Sequence, residues 1–240
     1  MREIKMNISL SKEDYFTCLN FALKLWYSGS KSVIDYRSTG TKRDIGDYCT
    51  DFIGGKLAEI AFTKFLATNY DIEAGVDFAL YPGITAVDKS DLAWIRQKDG
   101  KKKKPGIRID VKGTKPTSKY FLVDAREFNN RPYDAYVMVF VDLPGDHLIR
   151  ALKDYIPLPD DLKNEIKSLD AIDAKIAGFC WRSDLENKRN FYRSGTVMID
   201  PEKPSRKLFK LKVDNVGFPI SSLRHSCEEW KNLVKAIIET

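Results

Sequence analysis

Residues 134–142 read DAYVMVFVD, a run of apolar and aromatic side chains closed at each end by an aspartate. Strand side chains alternate between two faces, so a strand of this composition is covered on both. Ala135 to Val141 is therefore expected in the middle of a sheet. Upstream, residues 107–115 read IRIDVKGTK. Here the character alternates: Ile107, Ile109 and Val111 share one face, and Arg108, Asp110 and Lys112 share the other. A half-buried strand with a polar outer face explains that pattern by itself. The context of the strand decides whether the carboxylate and the ammonium on one face mean more.

The chain has 240 residues, 43% hydrophobic and 31% charged, which suits an ordinary soluble globular protein of one large domain, or one domain with a small lobe; an α/β domain spanning 1–240 is the reading the pattern of elements leads to. No stretch approaches the roughly 18 apolar residues of a membrane span. The opening MREIKMNISLSKEDY carries charges instead of an apolar signal region, so a cytoplasmic location is expected. Cys18, Cys49, Cys180 and Cys227 are widely spaced and form no C-x-x-C pair, which argues for reduced, mostly packed thiols. His147 and His225 are the only histidines, which argues against a zinc hydrolase or a nuclease built on a histidine base. Hydrolytic chemistry would have to run on carboxylates and lysines. The net charge of +6 favours an anionic partner.

Ser11 with Asp14 marks a helix start, with Leu10 and Tyr15 as a hydrophobic staple and Gly29 as a stop, giving a helix over 12–27. A polar, glycine- and serine-bearing stretch over 28–49 reads as loop. Ile53, Leu57, Ile60, Ala61, Phe65 and Leu66 recur at helical spacing, so a second helix is expected over 51–68, with Lys56, Glu59 and Thr63 as its polar stripe. Strands follow near 120–124 and 135–141, then a helix around 160–169, strands near 176–181, 196–199 and 207–213, and a final helix capped by Ser226 and Glu229.

The segment SDLAW places Asp91 at the start of an apolar stretch, and the turn-rich KDGKKKKPG separates it from Asp110. Two neighbouring strands joined by that loop would bring the two carboxylates together. Such a pair repels itself unless a cation lies between, and magnesium, a hard ion preferring oxygen, is the natural occupant. It would stabilise an in-line displacement at phosphorus, with Lys112 orienting the nucleophile or neutralising charge.

GKLAEIAF, SDLAW, IRIDVKGTK and DAYVMVFVD, in that order, resemble the PD-(D/E)XK nuclease superfamily, and most of all type II restriction endonucleases. The resemblance covers residues 51–142, with weaker echoes in KIAGFCWRSDL and VGFPISSLR. It implies a mixed central sheet flanked by helices, restriction-endonuclease-like, with the catalytic core at 51–142 and recognition or accessory elements at 143–213. Residue by residue, it implies Glu59, Asp91, Asp110 and Lys112 as catalytic residues, with Asp91, Asp110, the Val111 carbonyl and Glu59 toward Mg2+, for which Mn2+ would substitute. Ser90 stands where the family has proline, and Asp88 competes with Asp91 for the ligand position. Glu59 also reads as half of a surface ion pair with Lys56.

Lys101, Lys102, Lys103 and Lys104 read either as a solvated hairpin tip or as a phosphate clamp, and Lys115 and Lys119 share that ambiguity. Arg182, Arg189, Asn190 and Arg193 lie in WRSDLENKRNFYRSG, where arginine and asparagine suit base edges in the major groove and an ordinary surface loop is the alternative. The expected activity is Mg2+-dependent hydrolysis of double-stranded DNA by a sequence-specific homodimer. The rivals are a repair, recombination or mobile-element nuclease of the same superfamily, and a non-catalytic DNA-binding module.

Overall fold

The computed structural model describes residues 3–28, 44–79, 90–97, 100–187 and 190–239. In chain order its first half holds β1 (Asn7–Leu10), α1 (Lys12–Tyr27), α2 (Ile45–Tyr70), β2 (Glu73–Val76), β3 (Leu92–Arg96), β4 (Lys102–Lys103), β5 (Ile109–Thr114), β6 (Tyr120–Asp124), α3 (Ala125–Asn130) and β7 (Ala135–Val141). Then come α4 (His147–Leu152), α5 (Asp160–Glu165), β8 (Ile172–Trp181), α6 (Arg182–Leu185), β9 (Phe191–Tyr192), β10 (Val197–Ile199), β11 (Lys207–Lys210), β12 (Asn215–Pro219) and α7 (Cys227–Ile238). The class is mixed α/β.

The main sheet has the order β1-β8-β7-β5. As its composition requires, β7 is central: it pairs parallel with β5, from Ile109 opposite Ala135 to Thr114 opposite Phe140, and antiparallel with β8. β5 is an edge of this sheet. On the face of Ile109, Val111, Val137 and Val139, the core is built with Leu57, Ala58 and Phe65 of α2, Tyr15 of α1 and Trp230 of α7. Trp230 meets Phe65 and Phe179 at ring-centroid distances of 4.7 Å each. On the opposite face Tyr136 and Met138 pack with Phe121, Phe128, Val216 and Phe218. That second layer is the sheet β6-β12-β9 together with α3, so the mixed sheet is flanked by helices on one face and by a second sheet with a short helix on the other. Phe121 and Val123 are the buried positions of β6 between half-buried neighbours, and with Val216 and Phe218 of β12 they give this short sheet a second apolar surface.

α1 has the expected bounds, and the Ser11–Asp14 capping box is formed. α2 begins at Ile45, within the stretch expected to be loop, because the Asp44 side chain accepts from the Asp47 amide and Tyr48 stacks on Phe52 at 4.3 Å. The remainder of that expected loop, residues 29–43, and Gly29 with it, lies outside the described residues. β8 starts at Ile172, earlier than its composition suggests, because Leu10 pairs with it there. α5 ends at Glu165 and β11 at Lys210, both short of their expected ends. All four cysteines are free, and three are buried. No helix among the described residues is long and apolar enough to cross a membrane.

Candidate active site

β5 sets the site. Asp110 and Lys112 point to the face shared by Tyr136 and Met138, as the register demands, while Val111 anchors the opposite face in the core. The outer edge of β5 is not paired by a strand of the main sheet. Instead, residues just before β3 bind it: the Asp91 amide donates to the Ile109 carbonyl at 2.9 Å, and the Ile109 amide donates to Ser90 Oγ at 3.1 Å. The Val111 amide then donates to Asp91 Oδ2 at 2.6 Å. Sequence reasoning brought Asp91 to Asp110 by making β3 and β5 neighbours in one ladder. The contact is real but arises differently, since β3 pairs with β2 and β4 in a separate sheet and only its leading residues reach β5. Asp88 lies outside the described residues.

α2 brings Glu59 to the same place. The helix approaches β5 closely because Gly113 has no side chain: a Cβ there would lie 2.7 Å from the Gly54 carbonyl oxygen and 3.0 Å from Ala58 Cβ. Lys56 donates to Glu59 Oε2 at 2.7 Å and to the Asp77 carbonyl at 2.8 Å, and it lies over the rings of Phe21 and Phe78. Their side chains are only 12% and 9% exposed, so this is a buried pair and not the surface ion pair that the i, i+3 spacing suggested.

These placements put several negative groups in one dry region. Burial pushes the Asp91 carboxyl well above the usual carboxylate range, and the charges of Glu59 and Asp110 push it further. Asp110 is raised too, by burial first, with Lys112 opposing that rise and Glu127 adding to it. Burial works against the charge of Lys112, yet Asp110 and Glu127 hold its ammonium above the ordinary lysine range. Its Nζ is 2.9 Å from Asp110 Oδ2 and 2.9 Å from Glu127 Oε1. The Glu127 contact has hydrogen-bond geometry. The Asp110 contact is an ammonium–carboxylate pairing on a buried oxygen, Oδ2.

A divalent cation fits this donor set by its chemistry. Asp91 and Asp110 offer carboxylate oxygens that repel one another, one oxygen of Asp110 is buried against the Lys112 ammonium, and all are hard ligands. The Val111 carbonyl points to the same side of the strand as its amide, toward Asp91. Among the described residues no three histidine, cysteine, aspartate or glutamate side chains already stand as a metal cage. The histidines are committed elsewhere. His147 is buried between the Tyr15 hydroxyl at 2.7 Å and Thr50 Oγ1 at 3.1 Å, and His225 Nδ1 lies 3.0 Å from the Leu223 carbonyl.

The remaining candidates scatter. In the lysine run, Lys102 covers the Trp94 ring at 4.1 Å and Lys103 donates to the Ile238 carbonyl at the end of α7, while Lys101 and Lys104 are exposed. Lys119 pairs with Glu202 at 2.9 Å and Lys115 is exposed. Arg182 lies over Phe128 at 4.0 Å and pairs with Glu186, Asn190 donates to the Asp184 carbonyl, and Arg193 is exposed. Arg189 lies outside the described residues. Sequence reasoning missed Glu127 entirely. Its only local signal is a place in the first turn of a helix capped by Asp124, and nothing in that pattern points to Lys112.

Compared with known proteins, the chain matches no family model, no curated protein and no solved structure.

Proposed function

We propose that the protein is a Mg2+-dependent DNA endonuclease of the PD-(D/E)XK kind, with a restriction-endonuclease-like core at residues 51–142 of a single domain. One observation carries the reading: Asp91, bound along the outer edge of β5, converges with Asp110 and Lys112 and has Glu59 beside it, in a burial that leaves two carboxylates mutually repelling. A structural ion pair needs one acid and one base. A second and a third acid crowded against the pair, Asp91 and Glu59, raise its energy beyond what the Val111 amide and Lys56 offset, which is the pattern of a functional site.

In this reading Asp91, Asp110 and the Val111 carbonyl hold the metal. Bound there, magnesium supplies the positive charge that lets an anionic phosphodiester approach two carboxylates and stabilises the charge of an in-line displacement. Lys112 Nζ steadies the attacking water and the negative charge that builds on the phosphate oxygens. Glu59, brought near Asp91 by α2, orients the water. By resemblance to the superfamily, the product carries a 5′-phosphate. Sequence-specific restriction by a homodimer is the favoured form of the activity, in a cytoplasmic protein.

The test is incubation of the protein with long duplex DNA, with and without magnesium, beside Asp110→Asn. Discrete magnesium-dependent fragments, lost by at least 100-fold or so in the variant, are expected. Cleavage confined to branched or damaged DNA would move the assignment to a repair or recombination nuclease. Full activity in Asp110→Asn would sink the active-site assignment, and salt-sensitive binding without cleavage of any substrate would leave a DNA-binding module.

A further inference from the structure

The proposed catalysis does not account for Glu127, although it shares the Lys112 ammonium equally with Asp110, at 2.9 Å from each carboxylate. Glu127 is itself held. α3 starts directly where β6 ends, with the Asp124 side chain accepting from the Arg126 amide, and Arg131 one turn further on lies 3.5 Å from the same Glu127 oxygen. A charged chain therefore runs Asp110–Lys112–Glu127–Arg131, from the edge of the main sheet into the second layer.

The consequence follows from competition for one carboxylate. The oxygen of Asp110 that Lys112 faces is buried against the ammonium, and a cation at Asp110 competes with the ammonium for that charge. An ammonium has three donors and a long, flexible stem. With Glu127 present, Lys112 keeps an anionic partner when Asp110 turns to a cation. Without Glu127, the acid left paired with Lys112 among the described residues is Asp110 itself.

We propose that Glu127 is a positioning residue of this site: it draws the Lys112 ammonium away from Asp110, which frees Asp110 for a divalent cation and keeps Lys112 aimed at the reacting phosphate. This rests on the nuclease reading above and deepens it, by naming a residue outside the superfamily motif that sets metal affinity through the lysine.

The experiment measures Mn2+ binding by calorimetry, without DNA and at fixed pH, for wild type, Asp110→Asn, Glu127→Gln, Lys112→Gln and the double variant Glu127→Gln/Lys112→Gln. Thermal melts check that each variant folds, and Lys112→Met replaces Lys112→Gln if the latter does not. Glu127→Gln is expected to weaken binding on the order of tenfold in the wild-type background. In the Lys112→Gln background the same change is expected to leave affinity unaltered, which a merely structural role for Glu127 would not produce. Unchanged affinity in Glu127→Gln overturns the proposal, as does an equal loss in both backgrounds, which would mean a simple field effect of one negative charge. If wild type binds no Mn2+ that Asp110→Asn abolishes, the metal-dependent reading falls first, and this proposal with it.

Discussion

Asp91 accepts a hydrogen bond from the Val111 amide while it lies beside Glu59 and Asp110, and burial and those charges raise its carboxyl well above 3.8. The raised value has a definite sign for stability. As pH climbs from about 4, the unfolded chain releases this proton before the folded protein does, so the folded state binds more protons and loses stability through that window. Asp91→Asn keeps an oxygen for the Val111 amide and removes the charge. Its metal-free form is therefore expected to match or exceed the wild-type Tm at neutral pH, with the advantage vanishing toward pH 4, while cleavage falls by about 100-fold or more. Differential scanning calorimetry across pH checks this, and a variant less stable than wild type at neutral pH would show that Asp91 serves the fold. The opposite behaviour belongs to Asp184, whose carboxyl the Arg224 guanidinium holds below its usual range, with both its oxygens bound by that side chain. There, neutralisation removes a pairing the fold uses.

Among the elements, α2 and β5 form the contact on which the site depends. Gly113→Val would drive a side chain into the Gly54 carbonyl and Ala58, and α2 must move away. A loss of about 1–3 kcal/mol is expected, with a drop in activity larger than the loss of folded protein explains, because Glu59 moves with the helix. Gly55 offers the control. A Cβ there meets nothing within 4 Å, so Gly55→Ala should raise stability by roughly 0.5–1 kcal/mol through helix propensity and leave activity intact. Chemical denaturation with parallel cleavage assays separates the two. Elements with strong local signals were legible: α1 through Ser11 and Asp14, α7 through Ser226 and Glu229, and β7 through its unbroken apolar run. The start of α2 was not, since polar residues mask a turn that Tyr48 secures by packing on Phe52 and Trp26. Short α3 had no periodicity long enough to read, so Glu127 stayed hidden.

At the scale of the molecule, the dry acidic cluster and the net charge of +6 pull in different directions. Excess positive charge favours an anionic partner, while clustered carboxylates repel an anion unless a cation offsets their charge. Metal should therefore stabilise the whole protein. Saturating Mg2+ or Mn2+ at about 100 times Kd is expected to add ~2.7 kcal/mol to folding. The gain should shrink toward pH 4, where protons occupy the carboxylates, and vanish in Asp110→Asn. Thermal melts with and without metal read all three. A metal-independent Tm would remove the support for a cation site.

The sequence by itself determined the mixed class and the central place of β7, because apolar composition on both faces allows a strand no other position. It also determined that Asp110 and Lys112 share a face, since strand geometry alternates every residue. Only the tertiary structure decided the rest. That Asp91 caps the edge of β5 from outside its ladder, that Lys56 and Glu59 are buried, that a second sheet covers the Asp110 face, and that Glu127 shares Lys112 all depend on contacts distant in the chain. Local patterns carry the period of an element and the ends of a helix. They carry no information about which neighbour removes water from a charge, and here that desolvation raises the carboxyls of Asp91 and Asp110.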